Sequence, residues 1–471
     1  MLGRRRYSAF TLSGCGIFLF EAKQYHETFS HLILILFAFL LFLCKFQMNI
    51  NRYPMLVEFR VSNFRSIREE QRLSLVANSD KSHSETHVIR SDAKSGISLL
   101  KSAVIYGANA SGKSTLIMAM AFMKRIVAES ATHVKEGQKF FLQSFKLDGI
   151  SSTKPSEFEI TFIEAGIRYQ YGFSLLPDRI TSEWLLVYKT SKPQVWFDRR
   201  YNAETNVDEY TFSPFLSGEK KLWQKSTRSN SLFLSKAVDL NSNALRPVFL
   251  WIVQQLHIIG AGEQPMIEFS TAFAQLPEGK RQLLDFLSAA DLSISELSLE
   301  IRQQREVSVR VEGEKPPVHQ VIDSEALMPI FLHTGAEGAA KFEFHDESTG
   351  TQRLFAFAGP ILDVLREGSV LIVDELDGSL HTKIVRFLLS IINSSMHNTE
   401  GAQLIFTTHD TSVMDAKLFR RDQIWFVEKD KSHATHLYPL TDFSPRTNEA
   451  LEKGYLVGRY GAIPFINETM F

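Results

Sequence analysis

The sequence predicts an α/β fold, and three features carry that prediction. First, Gly107-Ala-Asn-Ala-Ser-Gly-Lys113-Ser114 is a G-x4-G-K-S run that follows the apolar stretch 103–106 and opens the apolar stretch 115–120. A strand, a glycine-bounded turn and a helix start are the context in which such a loop binds phosphate. Second, residues 369–375 and 402–409 are short apolar runs that end in Asp374-Glu375 and in His409. Buried parallel strands in open α/β sheets deliver ligand chemistry at their carboxyl ends in this way. Third, the stretch between them holds alternating short strands, the signature of an antiparallel sheet added to the β-α units.

Composition sets the frame. The chain has 471 residues, 44% hydrophobic and 22% charged, with a formal net charge of −1. This is globular material, long enough for two or three structural units and without a global basic field for nucleic acid. Both cysteines, Cys15 and Cys44, fall in the first 54 residues, so the remainder cannot hold a disulfide framework or a thiolate-metal site, and a reducing, cytoplasmic setting fits. That opening stretch contains the apolar run 32–44, thirteen residues long, against the roughly 20 that a bilayer span needs. It reads as a dispensable extension or over-extended start ahead of Met55, with a short membrane anchor as the alternative. A membrane location is not expected.

From Met55 the chain reads in order. Residues 55–67 alternate as a strand entering a turn, and 72–76 supply a hairpin partner. Polar residues 77–94 read as loop. The strand 97–106 delivers the phosphate loop, and the following helix runs to about residue 130. Short strands follow at 158–163, 167–174, 183–188 and 194–197. From 220 to about 300 the pattern turns largely helical, best at 245–255 and 279–289, with no heptad seam that would make a coiled-coil arm. Strands 301–311 and 318–321 flank a turn at 313–317, and 340–344 leads to a helix over 354–365. The expected organisation is an N-terminal extension at 1–54, a lobe with phosphate loop and antiparallel sheet at 55–200, an inserted mostly helical lobe at 201–340, and a lobe with the acidic and histidine strands and the tail at 341–471.

The residue types specify the chemistry. Backbone N–H groups of the loop, across Gly107, Asn109, Ser111 and Gly112, point at phosphate oxygens, and the helix N-terminus at Thr115 adds partial positive charge. Lys113 would bridge β- and γ-phosphates and Ser114 would offer its hydroxyl to Mg2+. Asp374 would hold the Mg2+ shell and Glu375 would activate water as general base. His409 could contact the γ-phosphate and hold that water in line. Ser348 and Gly350, ahead of a helix, can supply donors to another phosphate group.

These motifs resemble, in order, those of ABC-type ATPases: phosphate loop, Ser-x-Gly signature, Asp-Glu strand, the Leu-Asp-Gly-Ser-Leu-His381 loop and a Thr-Thr-His strand. With the opening Asn63-Phe-Arg-Ser66, the chain is more narrowly similar to SMC-like, OLD-type AAA ATPases. The likeness covers about residues 55–428, the middle insertion matching poorly. It implies an ABC-type P-loop NTPase core with an antiparallel β lobe and a compact, largely helical insertion, ATP and Mg2+ as cofactors, and a homodimer or higher oligomer sandwiching ATP. It also implies that Gln143 links the Mg2+ site to the inserted lobe and that Arg65 reaches a phosphate, with Arg68 as its rival. Two departures stand out. The signature reads Glu-Ser-Thr-Gly-Thr, and His381 stands where transporters carry an aspartate.

The tail at 454–464 mixes glycines, aromatics and one cation, as in OLD-type ATPases encoded beside a separate effector in phage-defence pairs. No Asp-x-Asp element follows the Thr-Thr-His strand, and no zinc spacing or Gly-x-Ser-x-Gly elbow occurs. The resemblance therefore implies an ATP-hydrolysing sensor or regulator whose nuclease or TOPRIM-like effector is a separate protein. The alternative is an SMC-like DNA-binding repair ATPase, for which nucleic acid would be a partner.

Overall fold

The computed structural model describes residues 54–90, 96–260, 267–310, 318–378, 380–446 and 449–464, with backbone alone considered over 304–324. The apolar run 32–44 and the turn 313–317 lie outside these residues. No helix among the described residues is long and apolar enough to cross a membrane.

The first sheet-forming segments are β1 (Met55–Ser62), β2 (Gln71–Ser74), β3 (Val88–Arg90), β4 (Ser98–Leu100) and β5 (Ser102–Tyr106), followed by helix α1 (Lys113–Glu129). Then come β6 (Ser156–Glu164), β7 (Ile167–Leu176), β8 (Arg179–Tyr188), β9 (Gln194–Asn202) and β10 (Val207–Phe212). Helices α2 (Lys220–Ser226), α3 (Phe233–Asp239) and α4 (Arg246–Leu250) lead through a π turn at Trp251–Gln255 into β11 (Leu256–Ile259). The insertion continues with α5 (Ile267–Ala274), α6 (Pro277–Ala289), β12 (Glu296–Arg310), β13 (Val318–Gly335) and β14 (Gly338–Glu343). The chain ends with α7 (Thr349–Glu367), β15 (Val370–Val373), α8 (Thr382–Asn393), β16 (Gln403–Thr407), β17 (Ile424–Lys429), β18 (Thr435–Pro439) and α9 (Leu451–Leu456).

The central sheet has the order β11-β15-β16-β5-β17-β18, parallel throughout except for β18. Strands β5, β15 and β16 are buried at every position, as parallel strands covered on both faces must be. Their alternation sorts side chains to two cores. Ala103, Ile105, Val370, Ile372 and Ile405 face a core shared with α1 and the antiparallel sheet, whereas Val104, Tyr106, Leu371, Val373, Leu404 and Phe406 face one shared with α6, α7 and α8. The antiparallel sheet has the order β10-β9-β8-β7-β6-β1-β2. A third sheet, β12-β13-β14, contains fifteen consecutive pairs from Glu296↔Leu332 to Arg310↔Val318. It is rooted in the second core by Leu297 and Phe331.

The structure is thus mixed α/β with a phosphate-loop core, and the insertion carries more strand than its sequence suggests. Of the helix expected over 245–255, only Arg246–Leu250 is α-helical. Leu256–Ile259 then pairs in parallel with β15. Four residues, three of them apolar, have no period long enough to distinguish helix from strand, so the pairing partner decides. Likewise β10 extends the antiparallel sheet beyond residue 200. In the expected loop 77–94, Val88–Arg90 pairs with Ser98–Leu100. That polar stretch is ordered by Arg420, a fully buried side chain that donates to the carbonyls of Asp80 (2.7 Å) and Ser82 (2.6 Å) and to Asp422.

The same corner holds a titratable group with a measurable signature. His87 is buried, stacked on His83 at 4.6 Å, with Nδ1 2.8 Å from Gln423 Oε1. The Gln423 amide donates elsewhere, to Ser102, so His87 Nδ1–H is the donor. Burial, opposed in part by that hydrogen bond and reinforced by His83, Lys101 and Arg420, pushes the His87 imidazole from 6.5 to about 4. Its neutral form therefore stabilises the fold fully above pH 6.5, and that contribution is lost as pH falls towards 4. The loss should be roughly 3 kcal/mol. Urea denaturation of wild type and His87→Asn at pH 7 and pH 4.5 tests it, with a shallower acid loss expected in the variant.

Candidate functional site

Strands β15, β16 and β5 lie side by side, with Val373 opposite Phe406 and Thr407 opposite Ile105, so their carboxyl ends share one edge. The phosphate loop leaves β5 there. Its shape requires left-handed backbone at Ala110 (φ 59°) and at Gly112 (φ 117°), the residue that caps α1. This alternation turns successive N–H groups to one side, a concave anion site. Space also requires the glycines. A Cβ at Gly107 would lie 2.3 Å from Val427 O, and one at Gly112 would lie 2.2 Å from Thr435 Oγ1.

Lys113 is buried, and its Nζ donates to Gly107 O (2.7 Å) and Ala108 O (3.1 Å). Burial holds its pKa below the usual lysine range, opposed by the negative charges of Asp374, Glu375 and Asp377. Ser111 Oγ is buried without a hydrogen-bond partner among the described residues. Asn109 is exposed, Ser114 occupies the first turn of α1, and Thr115 accepts a hydrogen bond from Ser66 Oγ at 3.1 Å.

At the end of β15, Asp374 is buried and Oδ1 accepts a hydrogen bond from Thr407 Oγ1 at 2.5 Å. Glu375 adopts a left-handed backbone (φ 56°), uncommon for a side chain of this kind. Its N–H donates to Thr407 Oγ1 at 2.7 Å, and its carbonyl accepts from Arg353 Nη2 at 3.1 Å. The carboxylate projects towards solvent, 45% exposed, with Oε1 3.9 Å from Nε2 of His409, itself 39% exposed. His409 N–H donates to Asp377 Oδ2 at 3.2 Å. The structure thus brings Lys113, Asp374, Glu375 and His409 to one edge.

Other residues stand apart. Ser348 caps α7, its Oγ accepting the Thr351 N–H at 3.1 Å, with Gly350 in the same turn. The described hydrogen bonds of Ser348 stay inside that turn. Gln143 lies with Arg65, whose N–H donates to Gln143 O at 2.7 Å. Both line a cavity of 270 Å³ with Ser66, Lys146, Lys429 and His433. No described contact takes Gln143 to Asp374 or Ser114, so the geometry groups it with Arg65 rather than with the acids. Arg68 is engaged elsewhere, 3.7 Å from Asp430 and 5.8 Å from the Phe145 ring centre. His381 caps α8 through Nδ1, which accepts the Lys383 N–H at 3.1 Å.

Sequence reasoning missed four supporting residues. Thr407 was within the Thr-Thr-His run but carried no signal of its own. Arg353 follows the Ser-x-Gly signature, and Asp377 lies within the Leu-Asp-Gly-Ser-Leu-His381 loop with no role of its own assigned to it. Thr435, on the last sheet strand, donates its hydroxyl proton to Ser111 O (2.9 Å) and lies 2.8 Å from Ser66 Oγ, which no local pattern announces. Given this crowding, Gly112→Ala should weaken ATP binding by about tenfold or more. Calorimetric titration of the folded variant checks it, with unaltered affinity as the contrary result.

Known proteins give an independent view. No curated protein matches the chain. Among solved structures, "Crystal structure of the SmcHead bound to the C-winged helix domain of ScpA" is similar at 12% identity, covering 82% of this chain and 97% of that chain, with a TM-score of 0.39. A family model described as "AAA domain, putative AbiEii toxin, Type IV TA system" matches residues 102–415, more than half of the 471 and the whole span from β5 through the histidine strand. On that match the chain belongs to this AAA-domain family.

Proposed function

We propose that the chain binds Mg-ATP and hydrolyses it in a site completed by a second copy. The observation that carries the reading is the convergence of Lys113, Asp374, Glu375 and His409 at one sheet edge, the last two with side chains 3.9 Å apart. The loop fits a triphosphate on its own evidence. Left-handed backbone at Ala110 and Gly112 turns its N–H groups to one side, and the buried Ser111 hydroxyl has no hydrogen-bond partner among the described residues. Lys113 Nζ rests on loop carbonyls that it can exchange for phosphate oxygens.

Ser114 and Asp374 would hold Mg2+, which when bound neutralises charge on the β- and γ-phosphate oxygens. Glu375 takes the proton of the attacking water, and His409 at its side orients that water or the γ-phosphate. The rim of Arg65, Lys146, Lys429 and His433 provides cationic or hydrogen-bonding groups for the rest of the nucleotide. Ser348 and Gly350 stand at a helix N-terminus suited to a phosphate, and among the described residues the bonds of Ser348 stay within its own turn, which supports their use in trans. Dimer closure would then be the output that a separately encoded effector reads in phage defence.

Lys113→Ala should abolish ATP binding in calorimetry. Glu375→Gln should bind ATP, lose turnover on the order of 10²-fold or more, and elute as a dimer by light scattering. A Glu375→Gln protein that stays monomeric in saturating Mg-ATP would overturn the sandwich. Co-purification with a neighbouring nuclease only in the ATP-bound state tests the effector, and ATP-dependent, salt-sensitive retention of DNA would favour the repair reading instead.

A further inference from the structure

We infer that Thr407 is a positioning residue that fixes the two acids of the site in one geometry. The inference rests on the ATP-hydrolysing reading above for the roles of Asp374 and Glu375, but the contacts stand by themselves. Thr407 ends β16 with no solvent exposure. Its hydroxyl donates to Asp374 Oδ1 at 2.5 Å and accepts the Glu375 N–H at 2.7 Å. Its carbonyl accepts the Leu376 N–H at 3.1 Å. One residue therefore holds three successive residues of the neighbouring strand end.

A threonine at a strand end ordinarily bonds to nearby backbone. Here the hydroxyl reaches a carboxylate 33 positions away in sequence. Both capacities of the hydroxyl are used: its one proton goes to Asp374 and a lone pair to Glu375 N–H. With Oδ1 engaged, Oδ2 is the oxygen of Asp374 left for a cation. The left-handed backbone of Glu375 is strained and persists only where its surroundings determine it. Thr407 supplies that determination on the amide side. On the carbonyl side, Arg353 Nη2 and the Gly378 N–H (3.0 Å) do the same. The base is thus aimed by its main chain, and its side chain stays free to meet water.

The chemistry of the hydroxyl decides the test. Serine reproduces both bonds, valine keeps the shape and makes neither, and alanine removes the same hydroxyl without the added methyl where the valine chain folds poorly. In the full chain, Thr407→Val should lower kcat and raise the half-saturating Mg2+ concentration, each by about 10-fold to 100-fold. ATP affinity in EDTA should stay within about 3-fold of wild type and Thr407→Ser should remain close to wild type throughout. Hydrogen exchange across 374–378 in the nucleotide-free chain should rise with valine and not with serine. A valine variant with unchanged kcat and Mg2+ half-saturation, or a serine variant as impaired as valine, would refute the assignment. A wild-type chain that binds Mg-ATP without hydrolysing it would sink the hydrolysis reading alone, because Mg2+ half-saturation of binding would still decide Thr407.

Discussion

The approach of β18 to the phosphate loop is the constraint on which the site depends. Thr435 occupies the space beside Gly112, and its hydroxyl donates to Ser111 O and touches Ser66 Oγ, which is in turn hydrogen-bonded to Thr115. Three segments far apart in sequence therefore meet at the start of α1. The turn that carries Ser66 is itself anchored. Asn63 takes a left-handed backbone, its Nδ2 donates to the carbonyls of Ser151 and Lys154, and its Oδ1 accepts the Phe145 N–H. The Arg65 cavity and the phosphate loop are consequently parts of one construction, because the same turn positions both.

The other end of α1 is held as firmly. Arg228 Nη2 donates to Val134 O at 2.7 Å and, more weakly, to Ser130 O, just beyond the helix. Residues 228–231 in turn surround Arg199, a fully buried cation that donates to Ser231 O at 2.7 Å and to Asp208 at 2.9 Å. Glu183, equally buried, accepts the N–H groups of Phe233 and Leu234 at the start of α3. Replacing such a buried pair by apolar residues can be neutral, but removing one member strands a charge at roughly 3–5 kcal/mol. The antiparallel lobe thus fixes the helix behind the phosphate loop through charges whose partners come from β8, β9, β10 and the 228–234 segment together.

What was legible in the sequence follows from the range of the interactions. The phosphate loop, the strands ending at Asp374 and His409, and the helix after Ser348 are local patterns, and each lies where its pattern put it. The core strands were readable because burial on both faces makes them continuously apolar. β11 was not, since its four residues become a strand only through pairing with β15, more than a hundred positions later. Thr435, Arg353 and Thr407 were opaque for the same reason: their worth lies in contacts with residues 22 to 369 positions away. Gln143, whose expected role came from the resemblance, is placed by the fold beside Arg65, a neighbour that its position along the chain does not announce.

The exposure of Glu375 and His409 bears on how the site would work. Lys113 and Asp374 are buried and their surroundings are fixed, whereas the two groups assigned to water are nearly half open to solvent. In water-rich surroundings even two unit charges at 3.9 Å, the separation of Glu375 and His409, interact by only about 1 kcal/mol. Covering them would strengthen every charge interaction in the site and exclude competing water. On the proposed reading, one chain would hold the nucleotide-binding half in finished form and leave the water-activating half open. A second surface laid across the edge would therefore change the chemistry more than the binding, which is the behaviour a switch controlled by closure requires.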